Sequence, residues 1–257
     1  MDLISDHISH RFGALAVLDD VSFTVRSGEV VAIVGPSGCG KSTLLSILGG
    51  LLQPSSGSAE SRGAPPADSR NPLTFVFQDF ALLPWCTVAE NVEFPLLHTG
   101  VAIAGRKAIV DDALRRTGLS DFRAAYPRQL SGGMRQRVGI ARALAVRPAI
   151  LLMDEPLSAL DSQTRELLME DFVRLLADGA MGAVYVTHNL EEAVRLADRI
   201  VVLSRRPGCV REVVTIPMTR AERGGIEARG RLLGLQNDLW SLIREEAIDA
   251  EREVQHA

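Results

Sequence analysis

The residues with the most evident chemistry form a glycine-rich run that follows the apolar segment Val30–Val34. The members of this run are Gly35, Pro36, Ser37, Gly38, Cys39, Gly40, Lys41, Ser42 and Thr43. Glycines let a backbone approach phosphates closely, and a turn into a helix N-terminus directs N–H groups and the positive end of the helix dipole to one place. In such a loop Lys41 reaches the β- and γ-phosphates and the Ser42 hydroxyl binds Mg²⁺. The spacing therefore predicts a polyphosphate site.

Two neighbouring carboxylates follow a second apolar segment, Ile150–Met153. The tip of a buried strand is rigid, and successive side chains point in opposite directions. Asp154 is therefore placed to hold Mg²⁺ through its water shell, while Glu155 can face a water in line with the γ-phosphate. Two adjacent acids buried without a cation would be costly, so their position indicates a metal. An ordinary exposed turn before Pro156 is the alternative interpretation.

A second candidate anion site is the string Leu130–Arg137, which contains Ser131, Gly132 and Gly133. Ser131 is a favourable N-cap, and the two glycines leave backbone N–H groups open at the start of a helix. One apolar face of this helix is predicted from Met134, Val138, Ala141 and Ala145. We expect its basic side chains to form a solvated surface; they are Arg135, Arg137 and Arg142.

A layered α/β framework is predicted to position these residues, because short apolar segments alternate with helical patterns along the chain. Such strands are typical of a parallel sheet that is covered on both faces. The predicted strands are Val21–Val25, Val30–Val34, Thr74–Phe77, Ala149–Met153, Ala183–Thr187, Ile200–Leu203 and Val213–Ile216. The predicted helices are Lys41–Gly49, Arg106–Thr117, Gly133–Val146, Asp161–Ala177 and Leu190–Leu196.

Three segments depart from this alternation. Ser55–Asn71 is rich in Ser, Gly, Pro and Ala, and we interpret it as a surface excursion. Thr87–Arg128 has no strong strand pattern and indicates a separate helical subdomain. Ala228–Val254 predicts an amphipathic helix packed on its own domain. Its apolar residues at helical spacing are Leu232, Leu235, Leu239, Leu242 and Ile243.

Composition and charge exclude several classes of protein. The 257 residues carry 28 Lys and Arg against 32 Asp and Glu, a formal net charge of −4, which argues against a dedicated nucleic-acid binder. No apolar run approaches the roughly 18–20 residues that span a bilayer, and the N-terminus lacks the apolar region of a secretory signal. Three widely spaced cysteines, Cys39, Cys86 and Cys209, argue against a disulfide framework or zinc site. We therefore expect a cytosolic chain.

Three further residues, together with the glycine-rich run and the string Leu130–Arg137, make a set of five motifs that resembles the ATP-binding-cassette (ABC) ATPases. They are Gln78 after a short strand, Asp161 after Ser158-Ala159-Leu160, and His188 after a strand. The resemblance runs from about Phe12 to about Pro217, with the motifs in the order of that family.

The resemblance implies a fold and a division of the chain. The expected fold is α/β, a P-loop NTPase-type ABC nucleotide-binding domain with a core parallel sheet, an antiparallel β subdomain and a helical subdomain. The ATPase domain is then residues 1–217, with the helical subdomain at about 87–146. Residues 218–257 form a C-terminal helical extension.

The resemblance also implies ATP and Mg²⁺ as cofactors, and a role for each motif. Phe12 stacks on adenine, and the glycine-rich run holds the phosphates. The implied ligands of Mg²⁺ are Ser42, Gln78 and Asp154. The implied catalytic residues, which polarise or position the attacking water or stabilise charge, are Glu155, His188, Gln78 and Lys41.

A homodimer that sandwiches two ATP molecules follows from the same resemblance. Ser131, Gly132 and Gly133 of one subunit close over the γ-phosphate held by the other, and Asp161 acts across the dimer. His188 contacts the γ-phosphate. Asn189 follows it where the family usually has an acid, a departure that leaves the role of His188 in place.

Softer strings point to one branch of the family. Leu82-Leu83-Pro84-Trp85 looks like importers of nitrate, sulfonate, taurine and related small solutes, as do the segments 202–208 and 238–240. The apolar stretch 79–86 either docks a partner helix or fills the helical subdomain.

This branch implies a set of partners and a location. The partners are an integral membrane permease and, indirectly, a periplasmic solute-binding protein, with no nucleic acid. The chain then lies peripherally on the cytoplasmic face of the inner membrane. The alternative is a soluble ABC ATPase that is not coupled to transport; a non-hydrolysing switch is opposed by Glu155, an intact candidate base.

Overall fold

Two β-sheets and seven α-helices make up the described part of the protein, which is known here from a computed structural model. The structure describes residues 1–158, 160–176, 181–225 and 227–255, with side chains up to residue 244. The strands are β1 (Asp2–Phe12), β2 (Leu15–Val25), β3 (Val30–Val34), β4 (Ser56–Arg62), β5 (Leu73–Val76), β6 (Ile150–Asp154), β7 (Gly182–Val186), β8 (Arg199–Leu203) and β9 (Val210–Thr215). The helices are α1 (Lys41–Leu48), α2 (Val88–Glu93), α3 (Ile103–Arg116), α4 (Gly132–Ala145), α5 (Ser162–Leu176), α6 (Leu190–Leu196) and α7 (Ala228–Gln255).

The larger sheet has six strands in the order β5-β6-β7-β3-β8-β9. Its first five strands are parallel, and β9 pairs antiparallel with β8. Strand β3 shows why the sequence favours this arrangement, since all five of its residues are buried. Val30, Ala32 and Val34 join the apolar cluster under α4, α5, α6 and α7, while Val31 and Ile33 join the cluster under α1 and the second sheet. The parallel α/β core predicted from the sequence is confirmed.

The smaller sheet is antiparallel, with strand order β2-β1-β4. It confirms the antiparallel subdomain, but two of its strands are absent from the predicted set. Strand β4 lies inside Ser55–Asn71; the segment is at the surface as expected, but the sequence did not predict that residues 56–62 form an edge strand. Its seven residues are mostly exposed and polar, and pairing with β1, such as Ile4 with Glu60, defines the strand. No apolar alternation marks such an edge strand in the sequence.

A third apolar cluster joins α2, α3 and α4. A capping box begins α2, in which the Thr87 side chain accepts from the Glu90 N–H and the Glu90 carboxylate accepts from the Thr87 N–H. On α4 the predicted apolar face is present, because Val138, Ala141 and Ala145 are buried in this cluster. The helical region expected from the sequence is therefore a separate packing unit beside the sheet.

Helix α7 is the amphipathic helix expected at the C-terminal end. Leu232, Leu239 and Ile243 are buried in the cluster beneath α5 and α6. The segment before it is fixed by Arg223, whose guanidinium donates to the carbonyl oxygens of Met218 and Ala197. Burial lowers the pKa of Arg223 to about 10, so it stays charged at neutral pH. Among the described helices, none combines the length and apolar character that crossing a bilayer requires.

Close packing between α1 and the sheet makes Gly49→Ala a test of the fold. A Cβ on Gly49 would overlap the Phe75 ring and come within 2.9 Å of Leu152 Cδ1. We expect a loss of about 1–3 kcal/mol in the free energy of unfolding, since an overpacked core displaces its neighbours. Thermal unfolding measures it, at roughly 2–4 °C per kcal/mol for a chain of this size.

The matched control is Gly230→Ala in α7, where a Cβ would meet no atom within 4 Å. Alanine favours a helix over glycine by about 1 kcal/mol, so this change should raise the melting temperature. Equal melting temperatures for the two variants would contradict the packing of Gly49.

Candidate active site

The loop between β3 and α1 is shaped by its glycines. Gly38 and Gly40 have φ of 77° and 102°, the left-handed region in which a side chain is strained. A Cβ on Gly35 would lie 2.8 Å from the Leu203 carbonyl oxygen, and one on Gly40 would lie 2.7 Å from a Leu18 methyl carbon. The loop therefore lies so close to β8 and β2 that glycine is required at both positions.

The first residue of α1, Lys41, is only 7 % exposed. Its ammonium donates to the carbonyl oxygens of Gly35 and Pro36, each at 2.9 Å. The N–H groups of the first turn of a helix have no acceptor within the helix, and the helix dipole adds positive potential there. A buried cation beside open N–H donors is an arrangement that binds a polyanion.

The remaining residues of the glycine-rich run divide between surface and core. Ser37 and Ser42 are exposed, and Thr43 is half-buried. Cys39 is buried in the cluster that α1 shares with the antiparallel sheet, and its N–H donates to the Pro36 carbonyl at 3.4 Å. Since the thiol belongs to the core, what Cys39 can offer an anion is its backbone N–H.

Ser42 and Asp154 bring two oxygen atoms together, because the Ser42 hydroxyl donates to Asp154 Oδ1 at 3.0 Å. Burial raises the pKa of Asp154; the Ser42 hydrogen bond opposes that shift, the Glu155 charge adds to it and the Lys41 charge opposes it. A carboxylate whose charge is disfavoured by its surroundings gains from a cation. Among the described residues no group of three His, Cys, Asp or Glu side chains could hold a metal, so a cation here would take other oxygens as well.

Glu155 and His188 form a pair beyond the ends of the neighbouring strands β6 and β7. His188 Nδ1 lies 2.9 Å from Glu155 Oε2. Glu155 has a φ of +43°, and its N–H donates to the Val186 carbonyl at 3.0 Å. A left-handed φ is costly for a residue with a side chain, so the surrounding structure imposes this conformation. The pair combines a carboxylate with an imidazole, groups that can orient a water and accept its proton.

Gln78 reaches the same edge from β5. Its amide nitrogen donates to Ser158 Oγ at 3.2 Å, and Ser158 Oγ donates to the Glu155 carbonyl oxygen at 2.9 Å. Because β5, β6, β7 and β3 are parallel, Gln78, the acid pair, His188 and the glycine loop all meet at the carboxyl edge of the sheet. Ser158 was not among the predicted site residues; the only sequence feature that could have indicated it is its position three residues before Asp161.

A buried polar network behind His188 was not expected from the sequence. Glu192 is 4 % exposed and accepts hydrogen bonds of 2.8 Å from Tyr185 Oη and from Thr187 Oγ1. Burial, with the Glu192 charge, raises the pKa of Tyr185 well above its usual value, so the phenol remains a donor. Arg165 Nε lies 3.9 Å from the Glu192 carboxylate. The network connects the end of β7 to the start of α5.

The second candidate anion site lies beside α5. Ser131 caps α4 by accepting from the Met134 N–H at 3.3 Å, and a Cβ on Gly133 would overlap Thr164 of α5. Asp161 caps α5, since its Oδ1 accepts from the Thr164 N–H at 3.0 Å, and this bond lowers the pKa of Asp161. Ser131, Gly132 and Gly133 therefore lie beside the first turn of α5, which Asp161 caps.

The expectation that Arg142 belongs to a solvated surface of α4 is wrong. Its guanidinium is half-buried and donates to the carbonyl oxygens of Phe80 and Ala81. Both residues have positive φ, 59° and 42°, and their carbonyl oxygens accept from α4. Burial lowers the pKa of Arg142. Two consecutive non-glycine residues with positive φ cannot be recognised in a sequence. Helical periodicity alone therefore gave the wrong environment for Arg142.

Phe12 lies at the end of β1 with about half of its surface exposed, 51 %. Its ring centroid is 4.6 Å from that of His10, at an interplanar angle of 79°. His10 is buried, and both of its ring nitrogens lack a hydrogen-bond partner among the described residues. The structure leaves a Phe12 ring that is accessible for stacking; its contact with adenine stays a prediction.

The apolar stretch 79–86 divides between core and surface. Phe80 is buried, Leu82 packs on the cluster of α2, α3 and α4, and Trp85 is 73 % exposed. Other exposed apolar side chains of the helical region are Phe94, Leu97, Ile103 and Phe122. Leu82 therefore contributes to the helical region, while docking of a partner helix at Trp85 stays a prediction.

Comparison with known proteins finds relatives along most of the chain. A family profile described as "ABC transporter" matches residues 18–158. A taurine import ATP-binding protein of Chromobacterium violaceum is 43 % identical over 229 residues, which cover 88 % of each chain. A bicarbonate transport ATP-binding protein of Synechocystis sp. is 42 % identical over 211 residues, 81 % of this chain and 75 % of the relative. A solved ATP-binding cassette, dimeric and in a post-hydrolysis state with ADP and Pi, has a TM-score of 0.73 and 34 % identity over 84 % of this chain and 99 % of that one.

The environment of Asp154 yields a prediction for Asp154→Asn. Because its pKa is raised in the folded chain, stability from its neutral form is present at low pH and is lost as pH rises through that pKa. Asparagine removes the buried charge, so we expect a melting temperature a few degrees higher at pH 7.5. The difference should shrink as pH falls through the pKa of Asp154, and differential scanning calorimetry between pH 4 and 8 measures it.

Asp161→Asn is the control of opposite sign. The pKa of Asp161 is lowered by hydrogen bonds at the start of α5, so its stabilising charge is present at neutral pH and is lost on acidification. We expect a melting temperature at pH 7.5 that is unchanged or lower. A decrease of the same size in both variants would contradict the different environments of the two carboxylates.

Proposed function

This chain belongs to the ABC transporter family, and we propose that it is the ATP-hydrolysing subunit that energises import of a small solute through a partner permease. The observation that carries the proposal is the convergence of the glycine loop, Asp154, Glu155, His188 and Gln78 at one edge of the parallel sheet. These groups supply a phosphate cradle, cation ligands and a candidate base for water. The names of the relatives support transport of a small anion or zwitterion, with taurine the first candidate. No observation favours an ABC ATPase that is uncoupled from transport.

Phosphate binding is the task of the loop and α1. The Lys41 ammonium already faces two carbonyl oxygens, and phosphate oxygens would replace these neutral acceptors with charged ones, which form stronger hydrogen bonds. The backbone N–H groups of the loop and of Ser42 and Thr43 add donors that need no rearrangement of side chains. Phe12 stacks on the adenine.

Ser42, Asp154 and Gln78 would hold Mg²⁺. The paired hydroxyl and carboxylate of Ser42 and Asp154 fit this cation, which takes one or two carboxylates together with substrate phosphates. Bound Mg²⁺ supplies positive charge that neutralises the β- and γ-phosphates. The hydrogen bond of Gln78 to Ser158 keeps its amide at the site.

Hydrolysis transfers the γ-phosphoryl group to water. The water oxygen bonds to the γ-phosphorus, the bond from that phosphorus to the ADP oxygen breaks, and the Glu155 carboxylate accepts the proton of the water. His188, at 2.9 Å from Glu155, fixes the carboxylate and contacts the γ-phosphate. Lys41 stabilises the charge on the phosphate oxygens.

A homodimer completes the site. The N–H groups at Ser131–Gly133 lie beside the first turn of α5, where Gly133 packs against Thr164, and we propose that a second copy brings them to the γ-phosphate. The similar solved cassette is a dimer. Two ATP molecules are then enclosed between the two subunits, and Asp161 acts across the interface.

Coupling to transport takes place at the helical region. Trp85 presents an exposed indole there, a suitable anchor for a helix of an integral membrane permease. The subunit then lies peripherally on the cytoplasmic face of the inner membrane, with a periplasmic solute-binding protein on the other side. Residues 1–217 form the ATPase domain, with the helical subdomain at about 87–146, and residues 218–257 form a C-terminal extension.

Glu155→Gln tests the role of the candidate base. We expect ATP affinity to be kept and hydrolysis to fall at least about 100-fold, because the amide cannot accept the proton. A dimer should accumulate with ATP and Mg²⁺, measured by size-exclusion chromatography with light scattering. Undiminished hydrolysis would remove Glu155 from this role.

Lys41→Ala should instead weaken ATP binding by about 10–100-fold, since hydrogen bonds to a charged group contribute about 1.5–3 kcal/mol. Isothermal titration calorimetry measures the affinity. Lys107→Ala is the control, because Lys107 is exposed on α3 and lies outside the site. Equal ATP affinity of both variants would contradict the assignment of the loop.

Solute uptake tests the transport role. Cells that lack this chain would be supplied with labelled taurine, alkanesulfonates, nitrate or bicarbonate, and rescued with wild-type protein or Glu155→Gln. We expect loss of uptake of one solute, restored by wild type alone. Normal uptake of every related anion would argue against import while leaving the ATPase chemistry intact.

A further inference from the structure

Helix α7 carries a stripe that the described residues of its own chain leave exposed. The stripe consists of Leu233, Gln236, Asn237 and Trp240, at the spacing that places residues on one helix face. Leu233 is 58 % exposed and Trp240 is 51 % exposed, whereas Leu232 and Leu239 beside them are buried in the core. The apolar ends of the stripe therefore lie outside the face that α7 uses to pack on its own domain.

The stripe is continuous with the candidate active site. Its four residues line a surface pocket of about 440 Å³ together with His188, Asn189 and Leu190. His188 is the residue that pairs with Glu155. Any binding partner that covers the stripe would therefore lie next to His188, the residue expected to contact the γ-phosphate.

Two glycines beside the stripe pack against none of the described residues. Gly230 and Gly234 precede Leu233 and Asn237 by three residues, which makes them neighbours on the helix surface. A Cβ at either position would meet no atom within 4 Å. Glycine weakens a helix. Because glycine has no side chain, however, it allows the backbone of another helix to approach closely.

We propose that the stripe packs against the same stripe of a second copy of this chain in the ATP-bound dimer; this inference rests on the proposed function. The order of its side chains is apolar, amide, amide, apolar in both directions along the helix. A two-fold axis across its centre would make two α7 helices antiparallel, so that Leu233 meets the Trp240 indole of the other copy, and the reverse. Gln236 and Asn237 would face each other at the centre, where amides can both donate and accept.

Because the stripe is self-complementary, a second copy of the chain is a better binding partner for it than a lipid surface. Two amides at its centre would be left unpaired against hydrocarbon, which is costly. In the two-fold arrangement, each amide faces an amide and each apolar side chain an apolar one. The dimer would then close at two places on each subunit, the nucleotide site and α7, with His188 between them.

Fluorescence of Trp240 tests the proposal in the ATP-trapped dimer. The chain has two tryptophans, so Glu155→Gln combined with Trp85→Phe leaves Trp240 as the single reporter. We expect ATP with Mg²⁺ to produce a dimer by light scattering and a severalfold decrease in acrylamide quenching, because the indole becomes covered. Leu233→Ser should weaken dimerisation by about tenfold or more, while Ile103→Ser, an exposed apolar residue on α3, should not.

The outcomes separate this proposal from the proposed function. A dimer in which Trp240 remains equally quenchable overturns the role of the stripe and leaves the ATP-enclosing dimer in place. Absence of any ATP-dependent dimer overturns both. Low quenching of the monomer without nucleotide would also overturn it, because the stripe would then be covered by its own chain.

Cysteine cross-linking tests the antiparallel register. In a Glu155→Gln background with Cys86→Ser and Cys209→Ser, Leu233→Cys protein would be mixed with Trp240→Cys protein and treated with ATP, Mg²⁺ and a mild oxidant. We expect a covalent dimer in the mixture and little in either protein alone. Efficient cross-linking of Leu233→Cys with itself, or no cross-link in a mixture that forms the dimer, would contradict the pairing.

Discussion

Burial of both faces of the parallel strands is the constraint on which the rest of the structure depends. Every residue of β3 and β7 is buried, so helices must cover the sheet on each side, and each connection must return the chain to the same end. Between their ends these two strands carry no charged or catalytic side chains. Such side chains collect where the strands end, and this is why Asp154, Glu155 and His188 meet at one edge.

Several groups at that edge would interact more favourably with a bound ligand than they do with their neighbours in the protein. Lys41 is buried against neutral carbonyl groups. Asp154 accepts a hydrogen bond from Ser42, and burial raises its pKa. Glu155 adopts a left-handed backbone conformation. The burial of Asp154 and the left-handed conformation of Glu155 each reduce the stability of the chain. Strained or poorly solvated groups of this kind are expected where binding energy, and not folding energy, has shaped the structure.

The parts of the fold that carry a strong sequence pattern could be predicted, and the parts that depend on distant contacts could not. Strand β3 and the loop after it are evident from apolar residues, glycines and Lys41. Strand β4 was missed because its polar residues are held only by pairing with β1. Glu192 looks like any acid on a helix surface, and its burial against Tyr185 depends on how α6 lies on the sheet. Local patterns predicted residues that the structure brings together at the carboxyl edge of the sheet, whereas the residues packed around them depend on tertiary contacts that no local pattern shows.

Arg142 joins two parts of the molecule that are far apart along the chain. It binds the backbone of Phe80 and Ala81, in the segment between Gln78 and the exposed Trp85, to α4, the helix that begins at Ser131. A displacement of the segment before Trp85 would therefore be transmitted to α4 through these two hydrogen bonds. In mechanical terms, the helical region would act as one lever, and in the proposed dimer its far end, at Ser131, would face the nucleotide of the other subunit.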